Sequence, residues 1–180
     1  VFAACAGAAI YRREVFETIG YFDESHFAYL EDIDVGYRAK IYGYRNVYCP
    51  TAKVFHVGSG TSGSKYNSFK VRLAARNNLY LNYKNMPIFQ LLLNALPIAA
   101  GMAVKYAFFK KLGFGEDYRA GVKEGFAGLK NCRKVPYRPQ HLKNYVQIQL
   151  ELIWGTFLYL WEFGKRRVRK LGGNGSVTEK

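Results

Sequence analysis

Residues 26–40, HFAYLEDIDVGYRAK, place Glu31, Asp32 and Asp34 within four positions at the start of a helical pattern. Leu30, Ile33, Tyr37 and Ile41 recur at helical spacing and supply an inward face, with Asp34 and Arg38 as an i,i+4 pair on another side. The acids therefore enter on a helix's first turn, where free backbone N–H groups and the helix dipole favour negative charge. An ionised carboxylate there can act as a base. Three acids at a helix start serve equally well as caps or dipole complements, so the neighbouring segments have to decide between the two.

The elements that would position these acids can be read in order. VFAACAGAAI at residues 1–10 reads as a buried strand, with small residues at Gly7, Ala8 and Ala9 where a backbone or ligand can approach. Such an opening, without an initiator Met, leads us to expect further chain before Val1. Tyr11 to Ile19 reads as a short helix stopped by Gly20, followed by an aromatic loop through His26, a histidine that carries little weight as a ligand. Beyond the acidic helix, residues 45–49 and 52–57 read as two short strands, the second ending near His56. The run Gly58 to Ser64 can cover a ligand or offer N–H groups to phosphate, and reads equally as a flexible connection. Residues 67–83 are helical in pattern, with Phe69, Leu73, Asn77 and Tyr80 near one stripe and Arg72 and Arg76 one turn apart on another. Two such arginines can grip a diphosphate or form a solvated basic face.

The chain of 180 residues is 49% hydrophobic and carries a net charge of +14, concentrated in residues 105–180. An acidic partner is expected there: an anionic membrane surface, a phosphorylated substrate or nucleic acid. The basic residues accompany long apolar runs, which favours the membrane and argues against nucleic acid. Residues 88–109 are long enough to span a bilayer, although Gln90, Asn94, Pro97 and Lys105 suit two interfacial pieces as well, and a core helix is the remaining reading. Residues 145–163 carry Glu151 and two glutamines, which oppose spanning, before the cluster from Lys165 to Lys170. Cys5, Cys49 and Cys132 are odd in number and lack metal-ligand spacing, as expected of reduced thiols in a cytosolic compartment. No secretory signal peptide is present in residues 1–10.

Several marks fall in one order: Gly7-Ala8-Ala9-Ile10 with Arg12-Arg13, Ile19-Gly20-Tyr21-Phe22-Asp23-Glu24, Phe27 to Asp34, Gly43-Tyr44, Pro50, His56 and Arg76-Asn77. Together they resemble the C-terminal half of a family 2, GT-A-fold inverting glycosyltransferase of the rhamnosyltransferase-like kind, most closely over residues 1–85. The resemblance implies an α/β, Rossmann-like catalytic half over residues 1–85, its nucleotide-binding half lying upstream of Val1. A basic, apolar, membrane-associated helical region would follow at 86–171, with a frayed tail at 172–180. It implies Asp32 as the catalytic base that deprotonates the acceptor hydroxyl, with Glu31 as its orienting neighbour. His56 would be a ligand to Mn²⁺ or Mg²⁺, Gly7 and Ala8 would line the acceptor side, and Arg72 and Arg76 would flank the diphosphate or lipid acceptor. The partners implied are a nucleotide-sugar donor, a lipid-linked or polysaccharide acceptor and the cytoplasmic face of an anionic membrane.

An inverting displacement needs one base opposite a departing diphosphate, unlike glycoside hydrolysis with its two carboxyl groups. Asp32-Ile33-Asp34 has the spelling of an Asp-x-Asp metal motif. On a helix, however, positions i and i+2 point about 200° apart and cannot clamp one ion together. The alternative function is a catalytically inactive membrane-associated module or a basic nucleic-acid-binding module.

Overall fold

The computed structural model describes residues 1–55 and 64–172. Six α-helices organise them: α1 (Arg13–Ile19), α2 (Glu31–Ile41), α3 (Ser68–Asn85), α4 (Ile88–Lys111), α5 (Gly115–Gly128) and α6 (Leu142–Gly172). Short 3-10 turns lie at Ala6–Ala8, Glu24–His26, Leu129–Asn131 and Pro139–His141. No strand occurs among the described residues, which overturns the α/β, Rossmann-like expectation.

The reason lies in the segments expected to be strands. The first folds into the turn Ala6–Ala8, with the Ala8 N–H on the Cys5 carbonyl at 2.9 Å. It touches residues 45–49 only at their start, where the Val1 nitrogen donates to the Asn46 carbonyl at 3.1 Å and Asn46 Nδ2 donates to the Phe2 carbonyl at 2.8 Å. One of these contacts uses a side chain, so the pair does not become a ladder. Nor does a further layer cover it: Ile10, Val47 and Tyr48 stand exposed. Two short segments without a third strand or an apolar cover are marginal as a sheet.

The helices form where local chemistry demands them. Gly20, at φ 80°, ends α1 by donating its N–H to the Phe16 carbonyl. Glu31, Asp32 and Asp34 lie on the first turn of α2 and Arg38 and Lys40 on its last, complementing the dipole at both ends. Asn67 caps α3, accepting the Lys70 N–H at 2.9 Å, and Pro87 separates α3 from α4.

Helices α3 and α5 pack against each other more extensively than any other pair. Gly121, Gly125 and Gly128 form the contact face of α5. A methyl group at these positions would run into the Arg72 carbonyl, the Leu79 side chain and the Tyr80 ring respectively, so the absence of side chains sets the approach. A second close approach occurs at Gly36 of α2, where the backbone and methyl of Ala3 fill the space a Cβ would need. The apolar core gathers Tyr37 and Ile41 of α2, Met86, and Tyr145 and Ile148 of α6.

Asp34 and Arg38 are buried, being 0% and 4% exposed. Arg38 donates from Nε to Asp34 Oδ2 at 2.9 Å, and Lys84 Nζ from α3 reaches the same oxygen at 2.9 Å. Asn85 Nδ2 donates to Asp34 Oδ1 at 2.8 Å. The Arg38 guanidinium also donates to the carbonyls of Ile19, Gly20 and Tyr21, and Lys84 pairs with Asp23 at 2.6 Å.

Two cations therefore depend on one buried carboxylate. Replacing Asp34 with Ala leaves both without it, a loss on the order of 3–5 kcal/mol. Glu14→Ala, at an exposed ion pair with Arg12, should cost about 0.5 kcal/mol or less. Urea unfolding of the two variants checks the contrast.

Candidate functional site

The approach to α2 is conformationally unusual. Phe27 (φ 59°), Tyr29 (φ 69°) and Leu30 (φ 69°) all lie in the left-handed region that bulky side chains avoid. Phe27, with ψ −62°, sits at the centre of a γ-turn closed by the Ala28 N–H on the His26 carbonyl at 2.7 Å. Such conformations persist only where the surroundings over-determine them.

Helix α3 supplies that determination. The Asn77 amide Nδ2 donates to the carbonyls of His26, Ala28 and Tyr29 at 2.7, 2.8 and 2.8 Å. Arg76 adds donors to the Ser25 and His26 carbonyls while its guanidinium lies over the Tyr80 ring. Asn77 occupies the stripe of α3 that also carries Leu73, and it is fully buried. A polar residue on an otherwise apolar stripe is the signal by which its role could have been noticed.

The loop delivers Glu31 and Asp32 to a cleft of about 590 Å³ lined by Phe27, Ala28, Tyr29, Leu30, Asn67 and Phe69 besides the two acids. Asp32 is half-buried and fixed at both oxygens: the Ile33 N–H donates to Oδ1 at 2.8 Å and the Ala6 N–H to Oδ2 at 3.3 Å. The Ala6–Ala8 turn containing Gly7 and Ala8 thus abuts Asp32. Glu31 Oε2 is buried without a hydrogen-bond partner, as is the Tyr11 hydroxyl. The Tyr11 hydroxyl is raised above the ordinary tyrosine range by burial first and then by the facing Asp32 carboxylate. Buried polar atoms left unpaired are rare in native folds, and here two occur beside the same acids.

The other expected site residues lie elsewhere. Arg72 pairs with Glu124 of α5, and Arg76 serves the loop; neither lines the cleft. His56 and the following Gly/Ser run lie outside the described residues. The expected Mn²⁺ or Mg²⁺ rested on His56. Among the described residues no three His, Cys, Asp or Glu side chains gather to hold an ion, so no step is derived through one.

His26 was passed over in the sequence because loop histidines are commonly exposed. It is fully buried, neither ring nitrogen has a partner, and its ring meets Tyr80 edge-on. Burial, together with the Lys84 and Arg76 charges, outweighs the opposing Asp34 and Asp23 carboxylates and holds the imidazole below the ordinary histidine range. Asp23 is pushed up by burial, but hydrogen bonds from Lys84 and Ser25 prevail and hold it well below the ordinary carboxylate range.

No family model and no solved structure matches the chain. Two curated relatives do, both named N-acetylglucosaminyl-diphospho-decaprenol L-rhamnosyltransferase, from Mycobacterium tuberculosis strains CDC 1551 / Oshkosh and ATCC 25618 / H37Rv. Each is 42% identical over 52 residues, which is 29% of this chain and 17% of the relative's length. The chain is therefore similar in one segment to a glycosyltransferase, a likeness that reaches the kind of chemistry, glycosyl transfer, and no finer.

The titrations have a definite sign. His26 is neutral in the fold but takes up a proton when unfolded below about pH 6.5, so stability should fall as pH drops from about 7 toward 5. Asp23 adds a further loss below about pH 4, where the unfolded carboxyl protonates first. Urea midpoints measured across this range should show the first slope flattened in His26→Phe and retained in an exposed-site control.

Proposed function

We propose that the chain takes part in inverting transfer of a sugar from a nucleotide-sugar donor to a hydroxyl of a lipid-linked or cell-surface polysaccharide acceptor. Asp32 is the general base and Glu31 orients the acceptor. The observation that carries this reading is the position of Asp32: a carboxylate on the first turn of α2, fixed by two backbone N–H groups and opening on a cleft. The segmental likeness to a rhamnosyltransferase supports the same class of reaction.

In this reaction the acceptor O–H proton passes to the Asp32 carboxylate as the acceptor oxygen attacks the anomeric carbon. The bond from that carbon to the diphosphate oxygen breaks, its electron pair leaving with the nucleoside diphosphate, and the configuration inverts. The hydrogen bonds from Ile33 and Ala6 keep the carboxylate from rotating away, and so preserve a reactive geometry.

The reading includes residence on the cytoplasmic face of an anionic membrane. Helix α4 is the described helix long and apolar enough to cross a bilayer, and Leu92 and Leu96 on it are 70% and 82% exposed. Two of its polar interruptions turn inward: Gln90 accepts from the Tyr37 hydroxyl, and Asn94 exchanges hydrogen bonds with Gln149 of α6. Glu151 of α6 pairs with Lys40 at 2.7 Å. Outward, α6 shows Trp154, Phe157 and Trp161, with Lys165 and Arg166 after them, a pattern suited to a headgroup boundary.

Asp32→Asn in the full-length protein should lower transfer by about 10²–10⁴-fold with donor binding unchanged, as general-base loss does. Turnover retained in that variant removes Asp32 from the role. Leu92→Lys combined with Leu96→Lys should reduce co-flotation with phosphatidylglycerol vesicles by more than about tenfold, because each new charge is costly in hydrocarbon. Unchanged flotation would place membrane contact elsewhere.

A further inference from the structure

Phe27 at φ 59° is strained, and Asn77 and Arg76 are committed to holding the loop in that form. Yet the side chain so placed buries little, being 76% exposed. Its ring meets that of Phe69 on α3, itself 54% exposed, edge to face at 6.2 Å. Both rings line the cleft that contains Glu31 and Asp32. Two apolar rings are thus held open to solvent in a cleft that two carboxylate residues also line.

This combination selects a ligand chemistry. The carboxylates accept hydrogen bonds and repel anions, which disfavours phosphates and acids in this cleft. An aromatic face attracts positively polarised C–H groups through its quadrupole. A ligand satisfying both has an apolar C–H face, several hydroxyl donors and no negative charge. A neutral pyranose meets that description, and the cleft falls within the roughly 300–1,000 Å³ of ordinary ligand sites.

We infer that Phe27 and Phe69 form a stacking platform for a neutral pyranose unit whose hydroxyls reach Glu31 and Asp32. Identifying this unit as part of the acceptor rests on the transferase reading above; the platform itself does not. The pair would then decide which acceptors are held, while Asp32 decides whether they react.

The test uses saturation-transfer NMR on the full-length protein with a panel of methyl pyranosides, and with tetramethylammonium as the competing ligand class. Saturation of C–H protons on one ring face is expected for at least one glycoside. It should fall at least fivefold in Phe69→Ala, recover in Phe69→Tyr, and persist in Phe126→Ala, an exposed phenylalanine on α5. Phe69 lies on a regular helix, so its replacement leaves the strained turn intact; Phe27→Ala should give the same loss. No saturation by any glycoside, saturation unchanged in Phe69→Ala, or transfer to tetramethylammonium instead would overturn the platform. In parallel kinetics Phe69→Ala should raise the acceptor KM at least fivefold with kcat little changed, whereas Asp32→Asn lowers kcat. Wild-type turnover with an unaltered KM in Phe69→Ala removes the inference alone; stacking without any turnover removes the transferase reading alone.

Discussion

The buried carboxylate of Asp34 is the interaction on which the described structure depends. It receives Arg38 from its own helix and Lys84 and Asn85 from α3, so α2 and α3 are joined by charge. Arg38 extends the connection to the three carbonyls that follow α1, and Lys84 extends it to Asp23. Removing charges from water is expensive, and an apolar substitute of equal volume could hold the helices as firmly. What the charged set provides is direction: each donor has one acceptor geometry, so the rotation and height of α2 against α3 are fixed. The placement of Glu31 and Asp32 at the start of α2 follows from that.

The loop from Tyr21 to Leu30 hangs between two such anchors. Arg38 grips its beginning and Asn77 its end, each through backbone carbonyls. That is why three non-glycine residues can remain at positive φ. Their strain is small beside the cost of leaving the carbonyls and the Asn77 amide unpaired in a buried place. His26 is carried inside by the same arrangement, its carbonyl used and its ring left neutral.

Helices α4, α5 and α6 meet the rest of the chain by different means. Helix α5 approaches α3 through glycines, which permits close backbone contact and leaves Arg72 to pair with Glu124 at the rim. Helices α4 and α6 turn Gln90, Asn94 and Gln149 toward each other and Glu151 toward Lys40, with many of their aromatic and aliphatic side chains outward. These polar residues, which interrupt the apolar runs in the sequence, are thus satisfied within the protein.

Much of this was legible in the sequence because its causes are local. The helical period of residues 67–83, the stop at Gly20 and the acids on the first turn of α2 follow from spacing, backbone freedom and the dipole, and each is where those rules put it. The strands were misjudged because a strand is not a local object: residues 1–10 and 45–49 have the composition, but without partners the pattern stays unrealised. The burial of Asp34 and Arg38 is not readable from their spacing, because an i,i+4 ion pair has the same spacing on a wet face as on a dry one. Only the arrival of Lys84 and Asn85, 50 and 51 positions away, distinguishes the two. The sequence by itself determined that Glu31, Asp32 and Asp34 sit on the first turn of a helix. The tertiary structure decided which charges are buried, which loop is strained and what the acids face, because those depend on groups brought together from distant parts of the chain.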